Sequence, residues 1–461
     1  MYKLLLPIAI ASCLFTSCNN TANTSATNAD STNGADSVAM IDGHPAWIMQ
    51  GNIYEVNIRQ YTPEGTFTAF SAHLQRLKDM GVQTLWFMPV NPIGKEGRKG
   101  VLGSYYAISD YRSINPEFGT MEDWKNLVNK AHGMGMKVII DWVPNHTAPD
   151  HPWVKQHPDF FIRDSSGVPV HQPGTDWTDT RKLDFKNRQL WDSTIASMKY
   201  WVTETGIDGF RCDHAQGQGK DFWVKANAEL KKTKPGLLML AEAEDNWVYD
   251  AGFDMSYAWK LFHKAVEVAG GKRPAFALDS VLHEADTTFK SPGLFLHFTS
   301  NHDENSWNKA DYGTMPGAIH APFAVLTQTM KGAVPLIYSG QEVPVLDSIS
   351  FFYKDTISFN KLERANFYKT LLQLRKNNPA LAANASFKKL RTSNDAAIYA
   401  FEREKDGNKV LVVVNLSKTP QTFSWKDQPS EKEWSNIFLM NKEPVLNAIE
   451  QWGYAVYEKR K

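Results

Sequence analysis

The chain has few cysteines and no excess of charge of either sign. Its 461 residues include three cysteines, and only Cys212 lies beyond residue 18. A single cysteine in the body of the chain cannot form an intramolecular disulfide there, and its place in a strand-like run favours a small apolar filler over a catalytic thiol. Lys plus Arg and Asp plus Glu both number 50. A net charge of zero gives no long-range attraction to nucleic acid or to an anionic membrane, and it suits a neutral ligand.

The first eighteen residues have the pattern of an export signal. Lys3 precedes a mainly apolar stretch, 4–17, which is too short to span a bilayer, so we expect residues 1–18 to be a cleaved signal peptide and not an anchor helix. The small residues directly before Cys18 resemble a bacterial lipobox, in which the cysteine carries the lipid of the mature protein. An ordinary secretory signal with a chance cysteine is the alternative.

Residues 19–43 link this signal to the folded part of the chain. Asn, Thr, Ser, Ala, Asp and Gly make up most of them, which predicts a flexible tether. A lipid at Cys18 followed by a tether predicts an exported protein that is anchored in the cell envelope, at the outer membrane, through this lipid alone. No acidic cluster directly follows Cys18, which favours the periplasmic face.

Strand-like apolar runs recur along residues 44–380, with amphipathic helical stretches between them. The runs are 53–58, 82–88, 137–143, 207–213, 237–242, 253–255, 294–299 and 334–338. Eight such alternations favour a parallel (β/α)8 TIM barrel over an open doubly wound sheet. The glycine-rich dinucleotide fingerprint that an open sheet can carry after its first strand is absent.

Two regions depart from this alternation. Residues 145–182 are rich in Pro, Asp, His and Trp without a clear helical pattern, so we expect a short inserted subdomain that overhangs one side of the barrel. Residues 381–461 contain four strand-like runs and no long helix between them. They predict a C-terminal antiparallel β-sandwich.

Three acidic residues stand at or just beyond the ends of strand-like runs. Asp213 and Glu242 close two of the runs, and Asp303 follows a third. The C-terminal ends of barrel strands form the active-site face, so the three carboxylates should converge on one cleft. Converging carboxylates are what glycoside cleavage needs, although a buried ion pair is the alternative for any one of them.

The surroundings of these acids predict different protonation states. Arg211 and Asp213 have the same strand parity, so the cation should lie beside the carboxylate and keep it ionised, as a nucleophile requires. A general acid must instead hold a proton at neutral pH, which apolar surroundings favour. Glu242 follows five apolar residues and fits that role. Glu244 has the same parity, so spacing alone does not choose between them.

Taken together, the motifs resemble those of the α-amylase family of retaining α-glycosidases, over roughly residues 47–457. The segments that carry the resemblance are Asp-Trp-Val-Pro-Asn-His at 141–146, Gly-Phe-Arg-Cys-Asp at 209–213, Ala-Glu at 241–242 and Ser-Asn-His-Asp at 300–303. Residues 103–120 resemble the loop after the family's second strand. The inserted subdomain and the C-terminal domain correspond to that family's B and C domains.

The resemblance implies a role for each acid. Asp213 would be the nucleophile, and Glu242, chosen over Glu244 because it directly follows Ala241, would be the general acid and base. Asp303 would hold hydroxyl groups of the reacting sugar and stabilise its oxocarbenium-like transition state. The other side chains around this sugar would be Tyr106, which stacks beneath it, His146, His302, and Arg211, which orients the nucleophile.

The expected activity is hydrolysis of α-glucosidic bonds, chiefly α-1,4, in starch-derived oligosaccharides or polysaccharides through a covalent glycosyl-enzyme. An exo-acting α-glucosidase or a transglycosylase on short maltooligosaccharides is one alternative. A catalytically silent sugar-binding lipoprotein is another, although all three acids are present. The expected partner is an α-glucan, and no nucleic acid is expected.

Two positions depart from the family pattern. Gln216 and Gly217 stand where many α-amylases have the Lys and His that contact the leaving-group sugar and ligate calcium. Asn145 would be a calcium ligand if the ion binds, but one amide oxygen does not make an oxygen cage. No cofactor is therefore expected to be required.

Overall fold

The computed structural model describes residues 39–289, 293–309, 311, 313–344 and 347–461. The predicted signal peptide, its Cys18 and residues 19–38 of the predicted tether lie outside the described residues. The last tether residues belong to ordered structure, because Met40–Ile41 pairs with His44–Pro45 in a short antiparallel hairpin. Within the described ranges, no helix has the length and apolar character needed to cross a membrane.

Eight parallel strands close into a barrel, which confirms the predicted fold class. In chain order they are β1 Ile53–Val56, β2 Thr84–Phe87, β3 Lys137–Trp142, β4 Gly209–Cys212, β5 Leu238–Ala241, β6 Met255–Tyr257, β7 Leu294–His297 and β8 Ala333–Tyr338. Strand β8 pairs with β1 through Leu336 and Ile53, which closes the ring. Only β6 is clearly displaced from its apolar run, because Phe253 belongs to the turn before it and bonds back to Val248.

The barrel interior changes from apolar to charged along its axis. Ile53 and Ile139 pack in one buried apolar cluster. Glu55 and Asp141, two residues further along the same strands, are fully buried carboxylates. Residues two apart on a strand share a face, so these acids point into the barrel near its C-terminal end. Cys212 packs in the apolar cluster between the barrel and its helices, as expected for a small core side chain.

Helices cover the outside of the barrel. Those of seven residues or more within the described ranges are α1 Leu74–Met80, α2 Met121–Gly133, α3 Arg188–Thr205, α4 Lys220–Thr233, α5 Trp259–Ala269, α6 Ala277–Thr288, α7 His302–Asn308, α8 His320–Thr329 and α9 Ala365–Asn377. Helix α2 illustrates why they form: Thr120 and Asp123 make a reciprocal capping box at its start. Trp124, Leu127 and Val128 then repeat at helical spacing and are buried.

The insertion at 145–182 is a small lobe above the third strand. Its two ends pair as short antiparallel strands, His146–Thr147 with Arg181–Lys182. Between them lie the five-residue helix Pro152–Gln156 and a bridge from Arg163 to Pro169. The lobe is therefore fixed at its base by backbone pairing.

The C-terminal part is an antiparallel sheet domain. Its six-stranded sheet has the order β9-β10-β11-β14-β12-β13, with β9 Ser386–Leu390, β10 Ile398–Lys405, β11 Asn408–Asn415, β12 Glu433–Asn436, β13 Asn441–Pro444 and β14 Tyr454–Lys459. In place of a second full sheet, a two-stranded ribbon pairs Gln421–Thr422 with Ala448–Ile449. Phe401 and Val412 share a buried cluster with Phe323 of α8, which docks the sheet on the barrel.

Candidate active site

The three predicted carboxylates line one cavity at the C-terminal end of the barrel, with a volume of about 480 Å³. Asp213 directly follows β4 and Glu242 directly follows β5. Asp303 lies in the first turn of α7, whose start is fixed because the side chain of Asn301 accepts a hydrogen bond from the backbone N–H of Glu304 at 2.8 Å. The side chains of the three acids are 13%, 19% and 40% exposed, so each can touch a substrate.

Arg211 lies at the centre of the site and is fully buried. Its Nη1 donates to Asp141 at 2.9 Å and to Asp213 at 2.8 Å. Its Nη2 lies 2.8 Å from Oε1 of Glu242. Its Nε donates to the hydroxyl of Tyr257 at 3.0 Å. One guanidinium thus holds carboxylates from three neighbouring strands.

Three carboxylates around one cation raise the affinity of the site for a proton. Burial and the carboxylate of Glu242 raise the pKa of Asp213 well above its ordinary value, although Arg211 acts in the opposite direction. Burial also raises the pKa of Asp141 against the effect of Arg211. The sequence predicted the contact between Arg211 and Asp213, but it did not predict that burial and neighbouring acids would outweigh it. The carboxylates around Arg211 therefore titrate as one interacting group, and this group binds its first proton more tightly than isolated carboxylates do.

The structure separates the two candidate general acids. Oε2 of Glu242 accepts a hydrogen bond at 2.7 Å from the backbone N–H of His214, whose φ of 44° is unusual for a non-glycine residue. Such a strained backbone conformation is typical of functional sites. Glu244 instead accepts from the backbone N–H of Lys260 and lines a different cavity, beside α5 and α6. Glu242 alone of this pair faces the site of Asp213.

A second charged group surrounds His302. Its Nδ1 lies 2.5 Å from Oε1 of Glu55, and its Nε2 lies 2.7 Å from the hydroxyl of Tyr106 and 3.2 Å from Oδ2 of Asp303. Burial alone would lower the pKa of His302, yet Asp303 and Glu55 raise it well above its ordinary value. Burial likewise opposes ionisation of Asp303, but His302 keeps the pKa of that carboxyl below its ordinary value. The group therefore presents the carboxylate of Asp303 to the cavity, with the buried imidazolium of His302 behind it.

Of the predicted sugar-binding side chains, Tyr106 and His146 line the cavity, whereas Arg211 and His302 are buried and are not among its lining residues. The ring of Tyr106 lies parallel to that of His302, with 5.5 Å between centroids, and its hydroxyl is 3.2 Å from Oδ2 of Asp141. His146 is buried, and burial, with help from Lys182, lowers its pKa to about 3. It is therefore neutral and can exchange hydrogen bonds with a sugar hydroxyl.

The predicted calcium ligand already has a cationic partner. Oδ1 of Asn145 accepts a hydrogen bond from Nζ of Lys182. A Cβ atom on Gly217 would lie 2.5 Å from the same Oδ1, so the loop after Asp213 packs directly on this pair. Across the part of the chain that the structure describes, no cluster of three or more His, Cys, Asp or Glu could hold a metal ion. The residues present do not fit a calcium site.

Several residues of the site were not predicted from the sequence. Asp141 lies in one of the motifs that carry the family resemblance, but no role was predicted for it. Glu55 is a lone carboxylate within an apolar strand, and this pattern is a sequence signal that could have indicated a site residue. The aromatic side chains of the cavity wall, Trp177, Trp307, Phe351 and Phe352, stand in loops or at a helix end. Loops have no periodicity that predicts which side chains face a cleft.

A barrel with converging carboxylates at its C-terminal end is typical of a class of glycosidases. Comparison of the chain with known protein families identifies which family it is. The chain belongs to the α-amylase family, because the model of the α-amylase catalytic domain matches residues 22–380. The model of the α-amylase SusG C-terminal domain matches residues 398–447. The protein is therefore a retaining glycosidase that acts on α-glucans by hydrolysis or transglycosylation.

Individual relatives agree with this assignment. Alpha-amylase 3 of Dictyoglomus thermophilum is 25% identical over 471 aligned positions, which cover 87% of this chain and 91% of the relative. The solved structure of an α-amylase from Lactobacillus plantarum is 28% identical, with a TM-score of 0.80 and coverage of 90% and 100%. A maltogenic α-amylase from Thermotoga neapolitana has the same identity and TM-score, with coverage of 90% and 97%.

We expect the thermal stability of the protein not to depend on calcium. An ion bound at a hundred times its Kd would add about 2.7 kcal/mol to the free energy of unfolding, which is readily measured as a rise in Tm. Because Lys182 holds Asn145, neither a chelator nor added calcium should change the Tm. Thermal unfolding monitored by circular dichroism checks this, and a Tm that falls with chelator and returns with calcium would contradict it.

We expect Glu55→Gln to move the alkaline limb of the kcat/KM profile to lower pH. The charged form of His302 is present below its raised pKa and is lost as the pH rises through that value. The introduced amide would still accept the hydrogen bond from His302, but the loss of the carboxylate charge would lower the pKa of that imidazole. The profiles of the variant and the wild type, with Glu244→Gln as control, measure the shift. An unmoved alkaline limb would show that this limb does not report on His302.

Proposed function

We propose that the protein hydrolyses α-1,4-glucosidic bonds with Asp213 as nucleophile and Glu242 as general acid and base. The observation that carries the proposal is the shared contact with Arg211, whose two terminal nitrogens each lie 2.8 Å from one of these carboxylates. This anchor keeps the two groups close together. Retaining enzymes need such closeness, with carboxyl groups about 5–5.5 Å apart.

The reaction proceeds in two steps. Glu242 protonates the glycosidic oxygen while Asp213 attacks the anomeric carbon, which forms a covalent β-glycosyl enzyme. Glu242 then removes a proton from water, the water attacks the same carbon, and the sugar leaves with its α configuration retained. Asp303 and the charged His302 hold hydroxyl groups of the reacting sugar throughout.

The charge of the site supports this reaction. Positive charge develops on the ring oxygen and anomeric carbon as the glycosidic bond breaks. Asp213 and Asp303 both line the cavity, and Asp303 is ionised because of His302. Fixed negative charge in a largely buried cavity stabilises that transition state more than it stabilises the neutral substrate.

The products of a linear maltooligosaccharide distinguish the modes of action. We propose an endo-acting enzyme, since aromatic side chains from both the inserted lobe and the barrel line the cavity, namely Trp177 from the lobe and Trp307, Phe351 and Phe352 from the barrel. Mixed shorter oligosaccharides among the early products would support this mode. Glucose as the sole early product would favour the exo-acting α-glucosidase, and products longer than the substrate would favour transglycosylation.

We expect Asp213→Ala to lower kcat by three or more orders of magnitude, on the order of the loss when other hydrolases lose a nucleophile. The variant should fold, because Arg211 keeps Asp141 and Glu242 as partners. Glu244→Ala is the matched control, since this acid lies outside the cavity. Turnover of a maltooligosaccharide and the circular dichroism spectrum are the measurements. A folded Asp213→Ala protein with near-native turnover would rule out the assignment.

We also propose that the mature protein is a lipoprotein anchored through Cys18. The support comes from the sequence: a cation, a short apolar stretch, small residues before Cys18 and a polar tether after it. One lipid group with a flexible tether would hold the barrel at the envelope while the cleft reaches free substrate. The periplasmic face of the outer membrane is the proposed location.

We expect Cys18→Ala to release the full-length protein from the membrane fraction of the cells that export it. The substitution removes the thiol that would carry the lipid, and the apolar stretch before it is too short to anchor the chain. Cys13→Ala is the matched control and should remain with the membranes. Immunoblots of the separated fractions provide the measurement, and a Cys18→Ala protein that stays membrane-bound would contradict the anchor. Protection from protease in intact cells would support the periplasmic face.

A further inference from the structure

A second large cavity lies outside the active site, between β7, α5 and α6. Its volume is about 470 Å³, close to that of the active-site cavity, and the two cavities have no lining residue in common. We call it the lateral cavity. Protein interiors are normally packed to the density of organic crystals, so a space of this size beside a core strand indicates that a ligand can be bound there.

Helix α6 borders the lateral cavity with a stripe of apolar side chains. Four of them repeat at helical spacing, namely Leu278, Val281, Leu282 and Ala285. Only Leu278 is buried, whereas the other three are half-buried and line the cavity. Phe289, which follows the helix, continues the lining. An apolar stripe that faces a cavity and not a packed neighbour leaves surface that an apolar ligand can cover.

The inner wall of the lateral cavity carries a polar atom without a partner. His297, the last residue of β7, is 3% exposed, and its Nδ1 has no hydrogen-bond partner among the described residues. Buried polar atoms are normally hydrogen-bonded, because an unpaired one costs free energy. Burial, together with Arg375 and Arg403, lowers the pKa of His297 to about 3. The imidazole is therefore neutral and has one N–H to donate.

Two buried arginines lie behind the same wall. Arg403 donates to the carbonyl oxygen of Ala385, a lining residue, at 3.4 Å. Arg375 donates to that of Ala333, at the start of β8, at 2.5 Å. All hydrogen bonds of the two arginines to described residues go to backbone carbonyl oxygens, so neither has a carboxylate partner there. Burial lowers the pKa of each to about 9, which leaves both charged at neutral pH. Two cations without a counter-ion favour an anion beside His297.

The other charged groups of the lining nearly cancel one another. At the mouth, Asp286 forms an ion pair with Lys331, and the exposed Asp42 accepts a hydrogen bond from Asn384 at 2.7 Å. Burial raises the pKa of Glu244 to about 7, so this carboxyl group is about half protonated at neutral pH. The hydroxyl groups of a sugar would have few partners along the apolar walls. The lining fits a ligand with a long apolar part and one anionic group.

We propose that the lateral cavity binds a medium-chain fatty acid, with its chain along α6 and its carboxylate beside His297. The chain would cover the apolar stripe of the helix, and the imidazole would donate a charge-assisted hydrogen bond to the carboxylate. This site takes a class of ligand unrelated to α-glucans, and the inference does not depend on the proposed function.

Isothermal titration calorimetry of the purified protein with octanoate, 1-octanol and butanoate tests the proposal. We expect octanoate to bind at least about ten-fold more tightly than 1-octanol, which lacks the charge. It should also bind at least about ten-fold more tightly than butanoate, which buries four fewer methylene groups. His297→Phe should abolish the preference for octanoate over 1-octanol, because the donor to the carboxylate is lost.

A change on α6 tests the cavity itself. Ala285→Phe fills the space from the helix and should weaken octanoate binding at least about ten-fold while turnover of a maltooligosaccharide stays the same. Ala228→Phe is the matched control, since Ala228 is exposed on α4 and does not line the lateral cavity, so octanoate affinity should not change. Equal octanoate affinity in Ala285→Phe and the wild type would overturn the proposal, as would an absence of binding to the wild type. Equal affinity of the wild type for octanoate and 1-octanol would overturn the placement of the carboxylate at His297.

Discussion

The structure depends on how a fully buried guanidinium is neutralised. An isolated buried cation costs several kcal/mol, and its cost is offset only by well-placed carboxylates. Arg211 obtains them through strand register, because it pairs directly with Asp141 on β3 and lies two residues before Asp213, which directly follows β4. Glu242 completes the group from β5. A shift of one residue in any of these strands would turn its charged side chain away from the barrel axis, so the register that builds the barrel also sets the positions of the reacting groups.

A second charged group makes the site asymmetric. Glu55 and Asp303 keep His302 charged, and Tyr106 joins the two groups because its hydroxyl contacts both His302 and Asp141. Together the described groups contain more carboxylates than cations. The excess negative charge has two consequences: it raises the proton affinity of the carboxylates around Arg211, and it favours a substrate that becomes positively charged as its bond breaks. Both consequences follow from one arrangement of buried acids.

The strands and the acids at their ends could be predicted because both depend on the regular geometry of the backbone. Apolar runs of strand length give the barrel, and the polar position after such a run must lie at the active-site face. Parity did not separate Glu242 from Glu244, because β5 ends at Ala241 and the alternation of faces ends with it. The edge strands β9 and β13 were missed since they are largely polar, as exposed edges usually are. Trp307 and Phe351 were missed because contacts between distant loops place them in the cleft.

Lys182 supplies the cation that contacts Asn145, and this cation is part of the chain, whereas a metal ion would be bound from solution. The two ends of the lobe at 145–182 pair where His146 faces Lys182 across two short strands, and the lysine then reaches back to Asn145, the neighbour of His146. Gly217 packs on this contact from the loop after the nucleophile. A cation supplied by the chain cannot be removed by dilution, whereas an ion is bound only in proportion to its concentration. The contacts among the lobe, His146 and the loop after Asp213 are therefore built into the fold and do not vary with the ions in the surrounding solution.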